Sequence, residues 1–233
     1  MLAIHRSKSG IPYTIVWFDP EPRFKLWPLT IYYQSPASSP RFGLVRRSFH
    51  TLLTPLTGDA ESLLAKMNGS TRNQVRQVEK LSVVGAWVDT DTFLAFFNAF
   101  AAEKGIQGSS WQKLTSFGDS LKLSAVYFEE RPLAMHATVV DRKLARARSL
   151  LSSSARFLDS EDRKLIGKAN RWLHWWDMKM LQTEGLSVYD WGGYAKDTDD
   201  PAKKGINEFK EGFGGTPHEE SHYYPFFFKS WSD

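Results

Sequence analysis

The sequence predicts an α/β fold in which a mixed, mostly antiparallel sheet is covered by helices. Three observations predict it. Runs rich in β-branched and aromatic residues recur towards both ends of the chain. Two helices with a continuous apolar stripe stand between them, one from Asp89 to Gly105 and one from about Glu161 to Gly185. Two strand-like segments, Leu121 to Glu129 and Leu133 to Asp141, flank Glu130-Arg131-Pro132 as the arms of a hairpin would. Sheets with an apolar face and helices with an apolar stripe bury those surfaces on each other.

Tyr13 to Phe18 and Leu29 to Tyr33 read as the first strands, followed by a Ser- and Pro-rich loop, Ser35 to Pro40. Leu44 to Leu53 adds a third strand. Asp59 caps a short helix from Ala60 to Met67, which Gly69 breaks. Ser70 or Thr71 caps the next helix, running to about Lys80. On it Arg72, Arg76 and Lys80 recur at every fourth position and share one face. Phe93, Phe96, Phe97, Phe100 and Ala101 form the buried stripe of the Asp89 helix. Ser110 to Phe117 forms another short helix, and Arg146 to Ser152 adds a strand to the hairpin. In the long helix, Leu165, Ala169, Trp172, Leu173, Trp176 and Met180 give one apolar face. A strand from Ser187 to Trp191, a short helix from Gly205 to Phe213 and a last strand from His222 to Lys229 complete the chain. Residues 1–58 thus form a strand region that completes the sheet or makes a partial lobe, and 59–233 form the main domain.

The chain has 233 residues, enough to bury a substantial core. It has no cysteine, which excludes disulfides, thiolate catalysis and Cys-ligated zinc. Aromatics reach 14%, with nine Trp, which serve packing or stacking. A net charge of +4 is compatible with a polyanionic partner without requiring one. The N-terminus is interrupted by His5, Arg6, Lys8 and Pro12, unlike a signal peptide. No stretch approaches the ~20 apolar residues of a membrane helix. A cytoplasmic location is expected.

The most informative stretch is YDWGGY from Tyr189, followed by a polar linker and GINEFKEGFGG. A strand ends at Trp191, and Gly192-Gly193 permits a sharp turn or a close backbone approach. Asp190 sits at the carboxyl end of that strand, where α/β sheets place ligands. Lys210 lies on the short helix beside Phe209 and Phe213.

YDWGG with FKEGFGG resembles the C-terminal signature of Fem-type aminoacyl transferases, enzymes of the GNAT fold that move amino acids from charged tRNA onto amines. STRNQVRQVEKLSV is similar to the family's basic helix, and TFLAFFNAFAAEKG to the helix after it. The resemblance covers roughly residues 60–228. It implies a GNAT-like acyltransferase fold, aminoacyl-tRNA as donor and no further cofactor. The acceptor it implies is an amine on a small molecule or a peptidoglycan-type precursor. Classical members carry two such domains; this chain has length for one.

The resemblance makes Lys210 the first catalytic candidate, because the matching family lysine contacts substrate phosphate or the reacting centre. A cation there stabilises developing negative charge. Asp190 is a candidate to accept a proton from the amine or to orient it. His136, in mid-strand, is a candidate base. Arg72, Arg76 and Lys80 are candidate phosphate contacts. Trp191 and Tyr194 offer stacking surfaces, with Gly192, Gly193 and Phe209 beside them. Lys164, Gly167 and Lys168, near the start of the long helix, approximate a GNAT pyrophosphate loop, which keeps acyl-coenzyme A open as the alternative donor. Each of these also has a plain structural reading: a solvated lysine, a turn carboxylate, a core histidine, an exposed helix face. His218 and His222, separated by Glu219 and Glu220, have ligand-like spacing, but they fall in a predicted loop without a third ligand. No metal site is expected. A non-catalytic RNA-binding domain of the same fold is the rival of a different class.

Overall fold

A computed structural model describes residues 1–157 and 162–227. The chain opens with strands β1 (Leu2–Lys8), β2 (Ile11–Trp17), β3 (Leu29–Ser35) and β4 (Leu44–Pro55). Helices α1 (Ala60–Lys66) and α2 (Gly69–Glu79) follow, then β5 (Val83–Trp87), α3 (Thr90–Lys104) and α4 (Trp111–Thr115). A meander of β6 (Leu121–Phe128), β7 (Arg131–Asp141) and β8 (Arg146–Ser154) leads to the long helix α5 (Arg163–Thr183). The chain then forms β9 (Val188–Gly193), α6 (Pro201–Glu211) and β10 (Thr216–Pro225).

All ten strands join one sheet in the order β1-β2-β3-β10-β4-β9-β8-β7-β6-β5. Among the described residues, only β2–β3 and β8–β9 pair in parallel. The N-terminal strands therefore continue the sheet of the main domain, and β10 lies between β3 and β4. One face of the sheet packs on α5, whose Ile166, Ala169, Leu173 and Leu181 are fully buried. The other face carries α3 and α4, with Phe93, Phe97 and Leu114 packed on Leu123, Ala125 and Met135.

Local chemistry explains the elements and where they depart from expectation. Asp59 caps α1 by accepting from the Ser62 N–H at 2.8 Å. The α2 cap is Asn68, not Ser70 or Thr71: its Oδ1 accepts from the Thr71 N–H at 2.8 Å, so Gly69 opens that helix instead of ending the one before. Gly105 closes α3 in the left-handed region, at φ 66°. The β6–β7 turn is Glu129-Glu130, both at positive φ, and Pro132 lies within β7. The edge strands β1 and β5 carry too few β-branched residues in alternation to be legible. The long helix was expected from near Glu161 and the last strand to Lys229, residues that lie outside the described ones. His218 to His222 sit inside β10, not in a loop. The buried side of α5 is wider than the predicted stripe, because that helix packs on α2 as well as on the sheet.

Leu173→Ala, in the fully buried centre of α5, is expected to cost about 2–5 kcal/mol, read as a fall in the urea midpoint at unchanged slope.

Candidate active site

Strands β8 and β9 pair over only three positions, Arg146–Val188, Ala147–Tyr189 and Arg148–Asp190. Beyond them β8 runs on to Ser154, while β9 pairs only with β4, where the register shifts between Thr51 and Leu53. The residue behind this irregularity is Gly192. It has φ 68°, and a Cβ there would come within 3.2 Å of the Ser149 carbonyl oxygen and 3.3 Å of Arg148 Nη2. The Gly192-Gly193 pair is thus a bulge inside β9 instead of the turn expected after it.

Where the strands part, a cleft of about 520 Å³ opens on the α5 side. Ser149, Ser152 and Ser154 line it from β8, Asn170, Arg171 and His174 from α5, and Phe209 and Lys210 from α6. Trp191 contributes an edge. Most of its ring is core, packed at 4.6 Å from Phe213, with Nε1 donating to Thr54 Oγ1 at 2.9 Å.

Lys210 and Asp190 meet at the bulge from opposite faces. Lys210, half-buried, donates from Nζ to the Gly193 carbonyl oxygen on the cleft side. Burial, with Arg148 nearby, lowers its pKa to about 8. Asp190 is fully buried on the other side. Its Oδ1 accepts from the Thr51 hydroxyl and from the Gly192 N–H at 2.8 Å. Its Oδ2 accepts from Gln34 Nε2 at 2.8 Å and from Arg146 Nη2 at 2.6 Å. Those donors saturate the carboxylate, which leaves it positioning the bulge instead of free to take a proton.

His136 does not open into the cleft. It is 0% exposed, with Nδ1 at 2.7 Å from Asp177 Oδ2 and Nε2 at 2.9 Å from Asn170 Oδ1. Its ring stacks at 3.9 Å on His174, which does reach the cleft. Burial drives the His174 pKa well below 6.5, so that imidazole is neutral at neutral pH. His136, His174 and Asp177 place three ligand-type atoms within 4.8 Å of one another. Two rings stacked at 27°, however, do not aim their in-plane lone pairs at one ion a bond length away. This is a hydrogen-bonded core cluster.

A second groove of about 230 Å³ continues from the cleft across the start of α5. Lys164, Gly167 and Lys168 line it together with Arg156, Arg163 and Arg171. The Asp162 side chain makes no capping bond and pairs with Arg131 at 2.6 Å instead, so among the described residues no side chain caps the first turn of α5. Arg72, Arg76 and Lys80 line neither hollow, and Arg76 is held by Glu61 of α1 at 2.9 Å. From α2 it is Gln74 that reaches the groove. Tyr194 lies apart, its hydroxyl donating to Glu211 at 2.6 Å. The serines of β8 and Arg171 were not singled out in the sequence. The run of serines at the end of a strand, SLLSSS, was their signal.

No family model and no curated protein matches the chain. Solved structures do. A structure of FemX matches at a TM-score of 0.65 and 12% identity, covering 96% of this chain and 84% of that one. A structure of L-PGS from Bacillus licheniformis matches at 0.59 and 12%, covering 98% and 82%. The C-terminal domain (DUF2156) of a protein named for lysylphosphatidylglycerol synthetase, from Agrobacterium fabrum, matches at 0.60 and 11%, covering 96% and 80%. The fold implied by the Fem-type resemblance is therefore the fold of this chain. Among the described residues no helix is long and apolar enough to cross a membrane.

The lowered pKa of Lys210 sets a sign for stability. The folded state releases the lysine proton near pH 8 and the unfolded state near 10.5, so between those values the unfolded chain holds more protons. Stability relative to Lys210→Met is expected to rise with pH across that window, measured by urea unfolding at several pH values.

Proposed function

We propose that this protein is an N-acyltransferase that moves an aminoacyl group from aminoacyl-tRNA to an amine, forming an amide. The observation that carries this reading is the placement of Lys210, from the FKEGFGG signature, in the cleft where β8 and β9 part. The amine nitrogen attacks the ester carbonyl, an N–C bond forms, the C–O bond to the ribose breaks, and the released hydroxyl takes up a proton. An aminoacyl ester is already activated, so the protein's task is alignment and charge stabilisation. The protonated Lys210 ammonium supports the oxyanion. The serine hydroxyls of β8 hold the polar parts of the donor, and the cations around the start of α5 hold its phosphates. His174, neutral and in the cleft wall, keeps a second cation away from the incoming amine.

The same groove favours one second reading, acyl-coenzyme A as donor, since a helix start that Asp162 does not cap, ringed by cations, suits a pyrophosphate equally well. The two are separated by supplying radiolabelled aminoacyl-tRNAs and acyl-coenzyme A species, each with a pool of amines. Label moving into an amide only from tRNA, and lost after ribonuclease treatment, is the expected result. Tight tRNA binding without turnover from either donor would point to a binding module.

Because the cation is the working form of Lys210, turnover is expected to fall as pH rises through about 8. Lys210→Met should lower kcat by about 10²-fold, in the range of losing one oxyanion donor, and should flatten that alkaline limb. Lys210→Arg should retain the cation and move the limb upward. Initial-rate pH profiles check all three.

A further inference from the structure

On the opposite side of the sheet, behind the cleft, lies a separate cavity of about 260 Å³. It sits between α4 and the strands β2, β3, β8 and β10. Its walls are aromatic, with Trp17, Tyr33, Phe117 and Tyr224, and it carries three cations, Arg6, Lys113 and Arg148.

Arg148 is the unusual group. Its guanidinium lies 4.7 Å over the Trp17 ring. Its hydrogen bonds go to neutral oxygens, Gln34 Oε1 through Nε and the Ser149 carbonyl through Nη1 at 3.3 Å. The two nearby carboxylates are both committed to Arg146, Asp190 at 2.6 Å and Glu220 at 2.7 Å. Burial lowers the Arg148 pKa, the mark of a cation short of compensation. A cavity that offers an under-compensated guanidinium and aromatic walls matches an anionic group attached to a ring or other apolar body.

Its position says what that body brings. Arg148 faces this cavity and Ser149, the next residue, faces the transfer cleft. The two hollows are back to back across one strand, at the point where Gly192 has no side chain to fill the gap. We propose that this cavity is the acceptor site, and that it takes a ring-bearing amine carrying a carboxylate or phosphate, whose nitrogen reaches the donor over the Gly192 bulge. The acceptor role rests on the acyl-transfer reading; the ligand chemistry does not.

The test is binding without any donor, by calorimetry on the full chain, with three matched probes. Phenethylamine is the bare ring amine, L-phenylalanine adds a carboxylate and O-phosphotyramine adds a phosphate. At least one anionic probe is expected to bind about tenfold tighter than phenethylamine, the worth of one charge-assisted hydrogen bond. Arg148→Gln should remove that advantage, while Ser152→Trp, which fills the transfer cleft, should leave it intact. Should Arg148→Gln fail to fold, Lys113→Glu on the exposed α4 surface should weaken the same probe about threefold through charge alone. Equal affinity for all three probes, no binding of either anion, or loss in Ser152→Trp with retention in Arg148→Gln overturns the ligand assignment. If acyl transfer to an anionic amine occurs with an acceptor KM that Arg148→Gln and Lys113→Glu leave unchanged, the acceptor site fails and the transferase reading stands. If no donor is ever turned over but the anionic probes bind as described, the transferase reading fails and the acceptor role with it, while the ligand assignment stands.

Discussion

The structure turns on a buried polar network at the middle of the sheet. Gln34 from β3, Thr51 from β4, Arg146 and Arg148 from β8, Asp190 from β9 and Glu220 from β10 meet there. Five strands therefore each contribute at least one polar side chain to a single cluster. Arg146 bridges the two carboxylates, and Gln34 donates to both. Burying ionised groups is costly unless every acceptor finds a donor, and Asp190 does. Such a cluster tolerates only one register. It fixes β9 against β4 and holds Gly192 in its left-handed conformation, with the Asp190 carboxylate gripping the Gly192 N–H.

That local geometry makes the parting of β8 and β9 a fixed feature of the fold. A parallel pair would ordinarily continue for the length of both strands. Here the bulge turns the β9 backbone away after three positions, and the gap left behind becomes the cleft. Lys210 fastens the bulge from the side opposite Asp190, so a residue that holds the gap open also lines it. The neutral state of His174 and the depressed pKa of Lys210 follow from the same cause, the dry packing of α5 and α6 over the gap.

Much of this was legible in the sequence. The helices with clean caps and stripes, α1 and α3, announced themselves, and the glycine-flanked YDWGG and FKEGFGG segments pointed to the cleft wall. Three things were not legible, each for a physical reason. Asn68 takes the α2 cap because its side chain reaches Thr71 first, which no local pattern separates from capping by the following Ser or Thr. Asp190 and Trp191 are neighbours in sequence, so alternation along a strand puts them on opposite faces; the carboxylate was expected beside the reacting amine and sits in the network behind it. Arg146 and Arg148 read as ordinary charged strand residues and Glu220 as part of a loop, because their pairing depends on β10 entering between β3 and β4, a long-range fact without a local signal.

The placement of β10 also constrains how the molecule comes together. Strands β3 and β4 are consecutive in sequence, yet they are held apart by a strand made more than 150 residues later, which pairs with β4 along its whole length from Thr216 to Pro225. Emerging from the ribosome, β1, β2 and β3 can pair with one another, but β3 and β4 cannot take up their remaining neighbours. They must wait with two hydrogen-bonding edges unfilled, or pair provisionally and separate again. A slow closing step, and a need to shield those edges meanwhile, are therefore written into the topology.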